Sequence, residues 1–231
     1  MKWSNKVAGT LEWSGEITNR EQKEQVASRI ASRVKDGDVI GVGSGSTSFL
    51  AIQAIGRRVL AEKLSVVGIP TSAEVALACT VLGIPTTTLL NKKPDWCFDG
   101  ADEVDPNNNL IKGRGGQMFA EKLLISSSPE NYILVDESKM VPALGKKFPV
   151  PVEVFPQAVH LVENELMSLG AAEIRLRLGK GKDGPVITES GNFILDARFE
   201  QIETELEKKI KLIPGVIESG LFIGYNVTIV R

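Results

Sequence analysis

The sequence predicts an α/β protein in which a doubly wound, mostly parallel sheet domain is joined to a smaller ferredoxin-like α+β domain. Three observations carry that prediction. Between residues 18 and 139, short apolar or β-branched runs alternate with stretches whose apolar residues recur at helical spacing, and repeated βα units of this kind build parallel sheets. The run Phe148-Pro-Val-Pro-Val-Glu-Val-Phe-Pro156 then breaks the alternation with prolines. Beyond it the order changes to βαββαβ, the pattern of a ferredoxin-like unit. Residues 1–149 and 222–231 are accordingly expected to form the large domain, and 150–221 the small one.

With 231 residues, 42% of them hydrophobic, the chain can bury a full core. Twenty-seven basic against 29 acidic residues leave a net charge of -2, too balanced for a field that attracts polyanions, so no nucleic-acid partner is expected. Cys79 and Cys97 stand 18 positions apart and His160 is the single histidine, a set that offers no zinc site and suits a reducing, cytoplasmic compartment. No metal and no cofactor are expected. The first residues lack the apolar core of a signal peptide, and no run approaches the roughly 18 apolar residues of a membrane span, so no membrane partner is expected either.

Residues 1–17 show no period and are expected to form a loosely held extension. Thr18-Asn-Arg-Glu21 matches a capping box, Val26, Ile30 and Val34 follow at helical spacing, and Asp36-Gly37 closes the helix. Asp38-Val-Ile-Gly-Val42 reads as a buried strand; the loop Gly43-Ser-Gly-Ser-Thr47 and a helix carrying Leu50, Ile55 and Val59 come next. Strand, loop of glycines and hydroxyls, then helix is the build of an anion cradle, because the loop exposes amides and the helix N-terminus adds the positive end of its dipole. Specific versions of that motif fail. No lysine follows as in a P-loop, position 46 is Ser where a dinucleotide fingerprint needs Gly, and neither Ser44 nor Ser46 fits G-x-S-x-G. A generic anion site built on Ser44, Gly45, Ser46 and Thr47 remains, beside the alternative of a plain glycine-rich turn.

The alternation continues with a strand at 65–69, a helix from Ser72 to Leu82, and strands over Thr86–Leu90, Asp95–Phe98 and Tyr132–Val135. Lys139, just past the last of these, is either a second phosphate cation or a solvated surface lysine. In the small domain, strands are predicted at 152–155, 172–178, 186–196 and 215–222, with helices at 157–169 and 200–211. Gly179-Lys-Gly-Lys-Asp-Gly184 reads as a flexible hairpin turn, and Tyr225 to Val230 as a last strand returning to the large sheet.

The densest chemistry lies between Asp99 and Lys122. Asp99 and Asp102 flank Gly100-Ala101 at the carboxyl end of a predicted strand, which is where open α/β sheets bind ligands. Lys112-Gly-Arg-Gly-Gly116 must turn tightly, and Glu121 follows about one turn into a helix carrying Met118, Phe119, Leu123 and Leu124. An acid pair, a cation and a separate carboxylate are an active-site arrangement. The alternatives are a turn capped by its own aspartates and a calcium loop. Calcium fails on spacing: counted from Asp99, the third position is Ala101, and counted from Asp105, the sixth is Leu110.

Gly41-Val-Gly-Ser-Gly-Ser-Thr47, Asp99-Gly-Ala-Asp-Glu103, Ile111-Lys-Gly, Glu121-Lys122, Val135-Asp-Glu-Ser-Lys139 and Phe148-Pro-Val-Pro-Val-Glu153, in this order, resemble ribose-5-phosphate isomerase of the A type from about Thr18 onward. The resemblance implies interconversion of D-ribose 5-phosphate and D-ribulose 5-phosphate through a cis-enediolate, in the non-oxidative branch of the pentose phosphate pathway. By it, Ser44 to Thr47 hold the sugar phosphate, and Asp99 and Asp102, with Gly100 and Ala101 between them, bind or open the ring. Lys112 faces the reacting oxygens, with Gly113, Arg114 and Gly115 beside it; Glu121 is the proton-transferring base, and Lys139 contacts the ligand. Arg114 interrupts a glycine run, so a large cation either lies near the site or turns outward. A homodimer or homotetramer is the expected assembly. The rival readings are another enzyme of similar fold, such as an amino-sugar-phosphate deaminase or a CoA transferase, and a non-catalytic sugar-phosphate sensor.

Overall fold

Apolar runs and helical stretches resolve, in chain order, into α1 (Arg20–Ala31), β1 (Val39–Val42), α2 (Ser46–Glu62), β2 (Val67–Pro70), α3 (Ala73–Val81), β3 (Trp96–Gly100), β4 (Glu103–Val104), β5 (Leu110–Ile111), α4 (Met118–Ser127) and β6 (Asn131–Leu134). Then follow β7 (Val150–Val154), α5 (Val159–Ser168), β8 (Ala171–Leu176), β9 (Phe193–Phe199), α6 (Leu206–Lys211), β10 (Val216–Ser219), β11 (Leu221–Phe222) and β12 (Thr228–Val230). This computed structural model describes Trp13 and residues 16–231. Two units divide the chain: one runs to Gly100 and adds Leu123–Ser138 and Asn226–Arg231, the other comprises Ala101–Lys122 and Lys139–Tyr225. Among the described residues, no helix is long and apolar enough to cross a membrane.

The first unit is a five-stranded sheet in the order β12-β6-β3-β1-β2, parallel throughout. β1 lies between β2 and β3, so the chain winds first to one side of β1 and then to the other. The carboxyl ends of β1 and β3 are therefore a topological switch point, the crevice in which such sheets bind ligands. Ile40, Val42 and Phe98 from these strands pack with Ile30 of α1 and with Ile52 and Ile55 of α2 in one apolar core.

In the second unit, β7, α5, β8, β9, α6 and β10 follow the expected βαββαβ order, and the sheet runs β10-β7-β9-β8 with every pair antiparallel. Val152, Leu195 and Ala197 of this sheet meet Val162 and Leu166 of α5 and Ile210 of α6 in a second core. A three-stranded antiparallel sheet, β11-β5-β4, completes the unit.

Several expected elements differ. The capping box does not form: α1 begins after Asn19, which is left-handed at φ 51° and makes no side-chain cap. Asn19 instead donates to Asp136 Oδ1 at 3.0 Å, and Thr18 Oγ1 accepts from Lys23 Nζ at 3.3 Å. The helix also stops at Ala31, short of Asp36-Gly37. Thr86–Leu90 is not a strand; it makes a single bridge, Gly68 to Thr86, then turns at Thr88–Asn91 and leaves Leu90 96% exposed. The predicted strand 186–196 is interrupted by a turn in which Thr188 and Asn192 exchange backbone and side-chain bonds, and both donate to the buried Glu153 carboxylate. Helix 200–211 shortens to Leu206–Lys211, and Ile202 ahead of it packs beside Gly145 against the second core. Strand 215–222 breaks at Gly220, where a Cβ would lie 2.1 Å from the Lys112 carbonyl. Most of the expected loose extension lies outside the described residues, but Ile17 is buried and Trp13 packs on Phe49 with ring centroids 5.6 Å apart.

Candidate active site

In the first unit, β1 runs into the Gly43–Thr47 loop, and Gly43 N donates to Phe98 O of β3 at 2.8 Å. That bond draws the loop against the end of β3 so closely that a Cβ on Gly43 would lie 2.2 Å from Asp99 Cγ. Asp99 is buried, and its Oδ1 accepts from the amides of Ser44 at 3.2 Å and Gly100 at 2.7 Å. Gly45, at φ 94°, caps α2 without a side-chain acceptor, leaving the first-turn amides and the helix dipole for an anion. Ser44 and Ser46 are half-buried and Thr47 is buried. Loop and Asp99 stand together at the switch point.

The second unit begins with Ala101 and the half-buried Asp102. Asp105 then shapes the β4–β5 hairpin, accepting from the amides of Asn107 and Asn109 at 2.9 and 2.8 Å and from Asn109 Nδ2 at 2.9 Å. The Asp/Asn-rich stretch is thus a turn that delivers Lys112, whose amide donates to Gly220 O at 2.8 Å beside the β5–β11 pair. Gly113 and Gly116, at φ 94° and 90°, fold the loop back to α4, where a Cβ on Gly113 would strike Met118. Lys112 Nζ reaches Glu121 Oε2 at 3.3 Å, with the two side chains 3% and 4% exposed. This is a buried ion pair.

Asp102 Oδ2 accepts from the Arg114 amide at 3.2 Å. Burial is the main cause that raises the Asp102 carboxyl above its ordinary value; the ammonium groups of Lys112 and Lys139 oppose it, Glu121 reinforces it and the Arg114 amide opposes it. Four residues singled out in the sequence, Asp102, Lys112, Glu121 and Lys139, thus act on one another within this unit. Lys139 is half-buried at the end of a short 3-10 turn, 5.7 Å above the Phe148 ring. Arg114 turns outward and lies over the same ring at 5.4 Å; its backbone, not its charge, serves Asp102.

Sequence reasoning passed over four supports. Gly43 opens the predicted anion-cradle loop, but its close approach to Asp99 across the sheet has no signal in sequence. Glu103 is fully buried and accepts from the amides of Gly145, Lys147 and Phe148 at 2.6, 2.5 and 2.7 Å, tying down the segment that carries Phe148. Lys122 donates to Glu207 at 2.6 Å, Glu218 at 2.9 Å and Leu221 O at 2.7 Å, which fixes the first turn of α4. Arg177 holds the Lys112–Gly116 loop by its carbonyls. The last three are long-range partnerships that local pattern does not encode.

Comparison with known proteins shows the family of the chain. The family model of ribose 5-phosphate isomerase A (phosphoriboisomerase A) matches residues 67–231. The ribose-5-phosphate isomerase A of Thermosynechococcus vestitus is 48% identical over 209 residues, spanning 89% of this chain and 88% of that protein. That of Methanothermobacter thermautotrophicus is 46% identical over 204 residues, spanning 87% and 89%. Among solved structures, ribose 5-phosphate isomerase A of Methanocaldococcus jannaschii superposes with a TM-score of 0.89 at 45% identity, over 93% of this chain and 96% of that one. A D-ribose-5-phosphate isomerase in complex with phospho-erythronic acid gives 0.88 at 40% identity, over 93% and 96%. Fold and sequence identity agree: the chain belongs to the ribose 5-phosphate isomerase A family.

Proposed function

We propose that this protein interconverts D-ribose 5-phosphate and D-ribulose 5-phosphate, and that Glu121 carries the proton. The supporting observation is the buried Lys112–Glu121 pair, 3.3 Å apart, next to the ionisable Asp102. Aldose–ketose conversion needs a base that removes the C2 proton, a cation or amides to hold the resulting oxyanion, and a hold on the remote phosphate. Glu121 takes the proton from C2 and returns it to C1 while the hydroxyl proton of O2 passes to O1, so one carboxylate works on one face of a cis-enediolate. The substrate itself exchanges the oxidation levels of C1 and C2, so the electron count closes without a redox partner.

The remaining roles follow the chemistry of each group. Lys112 and the Gly113, Arg114 and Gly115 backbone receive the negative charge that develops on O1 and O2. Asp99 and Asp102, with Gly100 and Ala101 between them, handle the ring hydroxyls and ring opening, for which a carboxyl raised by burial, as in Asp102, is a suitable proton donor. Ser44, Gly45, Ser46 and Thr47 hold the phosphate through amides and hydroxyls, with Lys139 as its cation. The similar isomerase solved with phospho-erythronic acid supports this reading, since that ligand combines a phosphate with a carboxylate resembling the planar enediolate oxygens. Assembly as a homodimer or homotetramer and a cytoplasmic location accompany it. Purified protein should convert ribose 5-phosphate to the ketose, with phospho-erythronic acid as a competitive inhibitor. No conversion by folded protein would refute the reading.

A further inference from the structure

The Lys112–Gly116 loop is gripped by one side chain outside the catalytic set. Arg177, just past β8, donates through Nη1 to the carbonyls of Gly113 at 3.0 Å and Arg114 at 2.7 Å. Its Nε donates to Asp196 Oδ2 at 2.8 Å and its Nη2 to Asp196 Oδ1, so the planar fork is set by a two-point ion pair on β9. The two side chains are 17% and 19% exposed, so the pair is well shielded yet open to a small solute.

Peptide units are planar and trans, so fixing a carbonyl fixes the N–H of the next residue, which points the opposite way. Holding Gly113 O thus orients the Arg114 amide, which donates to Asp102. Holding Arg114 O likewise orients the Gly115 amide. Gly113 and Gly116 both sit at positive φ, and a backbone with such freedom keeps one shape only when something anchors it.

We propose that Arg177, aimed by Asp196, is a positioning residue for the isomerisation: it sets the amides of the Lys112–Gly116 loop and, through the Arg114 amide, the Asp102 carboxylate. This rests on the isomerase reading above. Arg177 touches no substrate; its contribution is to hold donors still before charge develops on the substrate oxygens. Lysine cannot replace it, since an ammonium lacks the fork that spans a carboxylate and two carbonyls.

The test compares R177A, R177K and D196N with the parent protein in steady-state kinetics and in amide hydrogen exchange of the loop. R177A should lose about 10- to 100-fold in kcat, the range a small misplacement of reacting groups produces, with KM changed less than about twofold. R177K should resemble R177A, and D196N should lie between R177A and the parent. Millimolar guanidinium ion should restore part of the lost rate in R177A only, and the loop amides should exchange faster in R177A. Normal kcat in R177A overturns the proposal whatever the exchange rate, as does a loss that guanidinium does not mend while loop exchange stays unchanged. If the parent protein itself does not isomerise ribose 5-phosphate, the functional reading falls instead. Loop exchange then decides the grip alone: faster exchange in R177A supports it and unchanged exchange overturns it.

Discussion

Lys112 Nζ stands 3.3 Å from Glu121 Oε2, and the two side chains are almost wholly removed from water. Two separate pieces of backbone create that relationship. Pairing of β5 with β11 delivers Lys112, and the first turn of α4 delivers Glu121. In such a dry setting an ammonium acts on nearby negative charge far more strongly than it would in water. Under the proposed function, this cation partners the base at rest and holds the enediolate once the base has taken its proton.

Gly43→Ala should remove activity through Asp99. The new Cβ would fall 2.2 Å from Asp99 Cγ and 2.3 Å from Oδ1, so the carboxylate must move. Overpacking of this kind costs about 1–3 kcal/mol, and the displaced acid should cost about 10²-fold in kcat/KM. Kinetics and urea unfolding of the same variant check both; a variant as active as the parent would show that Asp99 need not stay in place.

Asp102 and Asp136 should respond to pH with opposite signs. Burial raises the Asp102 carboxyl, so its contribution to stability is complete below the ordinary 3.8 and is lost as pH rises through its folded value. Asp102→Asn should accordingly melt above the parent at neutral pH, with the gap closing in acid. At Asp136 burial also pushes upward, but the bonds from Ser138 and Asn19 and the Lys23 ammonium outweigh it and lower the carboxyl. Its contribution is present above 3.8 and lost as pH falls through the folded value. Asp136→Asn should melt below the parent at neutral pH and converge with it in acid. Melting curves across pH settle both signs.

Lys122→Met should be among the most destabilising single changes in the second unit. It strips Glu207 and Glu218 of the ammonium that both contact, in side chains only 12% and 9% exposed. Removing one partner of a buried pair costs about 3–5 kcal/mol. Urea unfolding should show a loss of that size; a loss under about 1 kcal/mol would mean that water, or Lys211, whose Nζ lies 3.2 Å from Glu218 Oε2, takes over.

Sequence pattern carried the parallel sheet, the βαββαβ order and the principal polar residues, because periodicity and glycine spacing are local signals. It misled wherever a distant partner claimed a local group. Thr18-Asn-Arg-Glu21 reads as a capping box, yet Asn19 is drawn away to Asp136. Residues 215–222 read as one strand, yet Gly220 must pass against the Lys112 carbonyl, and the chain changes sheets there. At Arg114 the sequence leaves two readings open, a cation near the site or one turned outward; the guanidinium turns outward onto Phe148 while the amide serves Asp102. Glu103 and Lys122 stand in the motifs Asp99-Gly-Ala-Asp-Glu103 and Glu121-Lys122, and Arg177 in none, yet no local pattern tells what any of the three binds; only the fold supplies their partners.

Thr47→Val and Lys139→Ala should each weaken inorganic phosphate as a competitive inhibitor. Thr47 is buried in the first turn of α2, and Lys139 carries charge that Asp102 feels. Loss of the phosphate grip should also lower kcat, since remote binding positions the reacting carbons. Unchanged inhibition constants in both variants would remove the phosphate from this loop.

The most direct test of Glu121 as proton carrier follows deuterium from C2 of ribose 5-phosphate. The parent protein should show a primary isotope effect and deliver part of the label to C1 of the ketose, the rest exchanging into water. Glu121→Gln should still bind phospho-erythronic acid but lose about 10²–10⁴-fold in kcat, the usual cost of removing a general base, and should transfer no label. Near-normal turnover and label transfer in Glu121→Gln, with both abolished in Asp99→Asn or Asp102→Asn, would contradict this and make an aspartate the base.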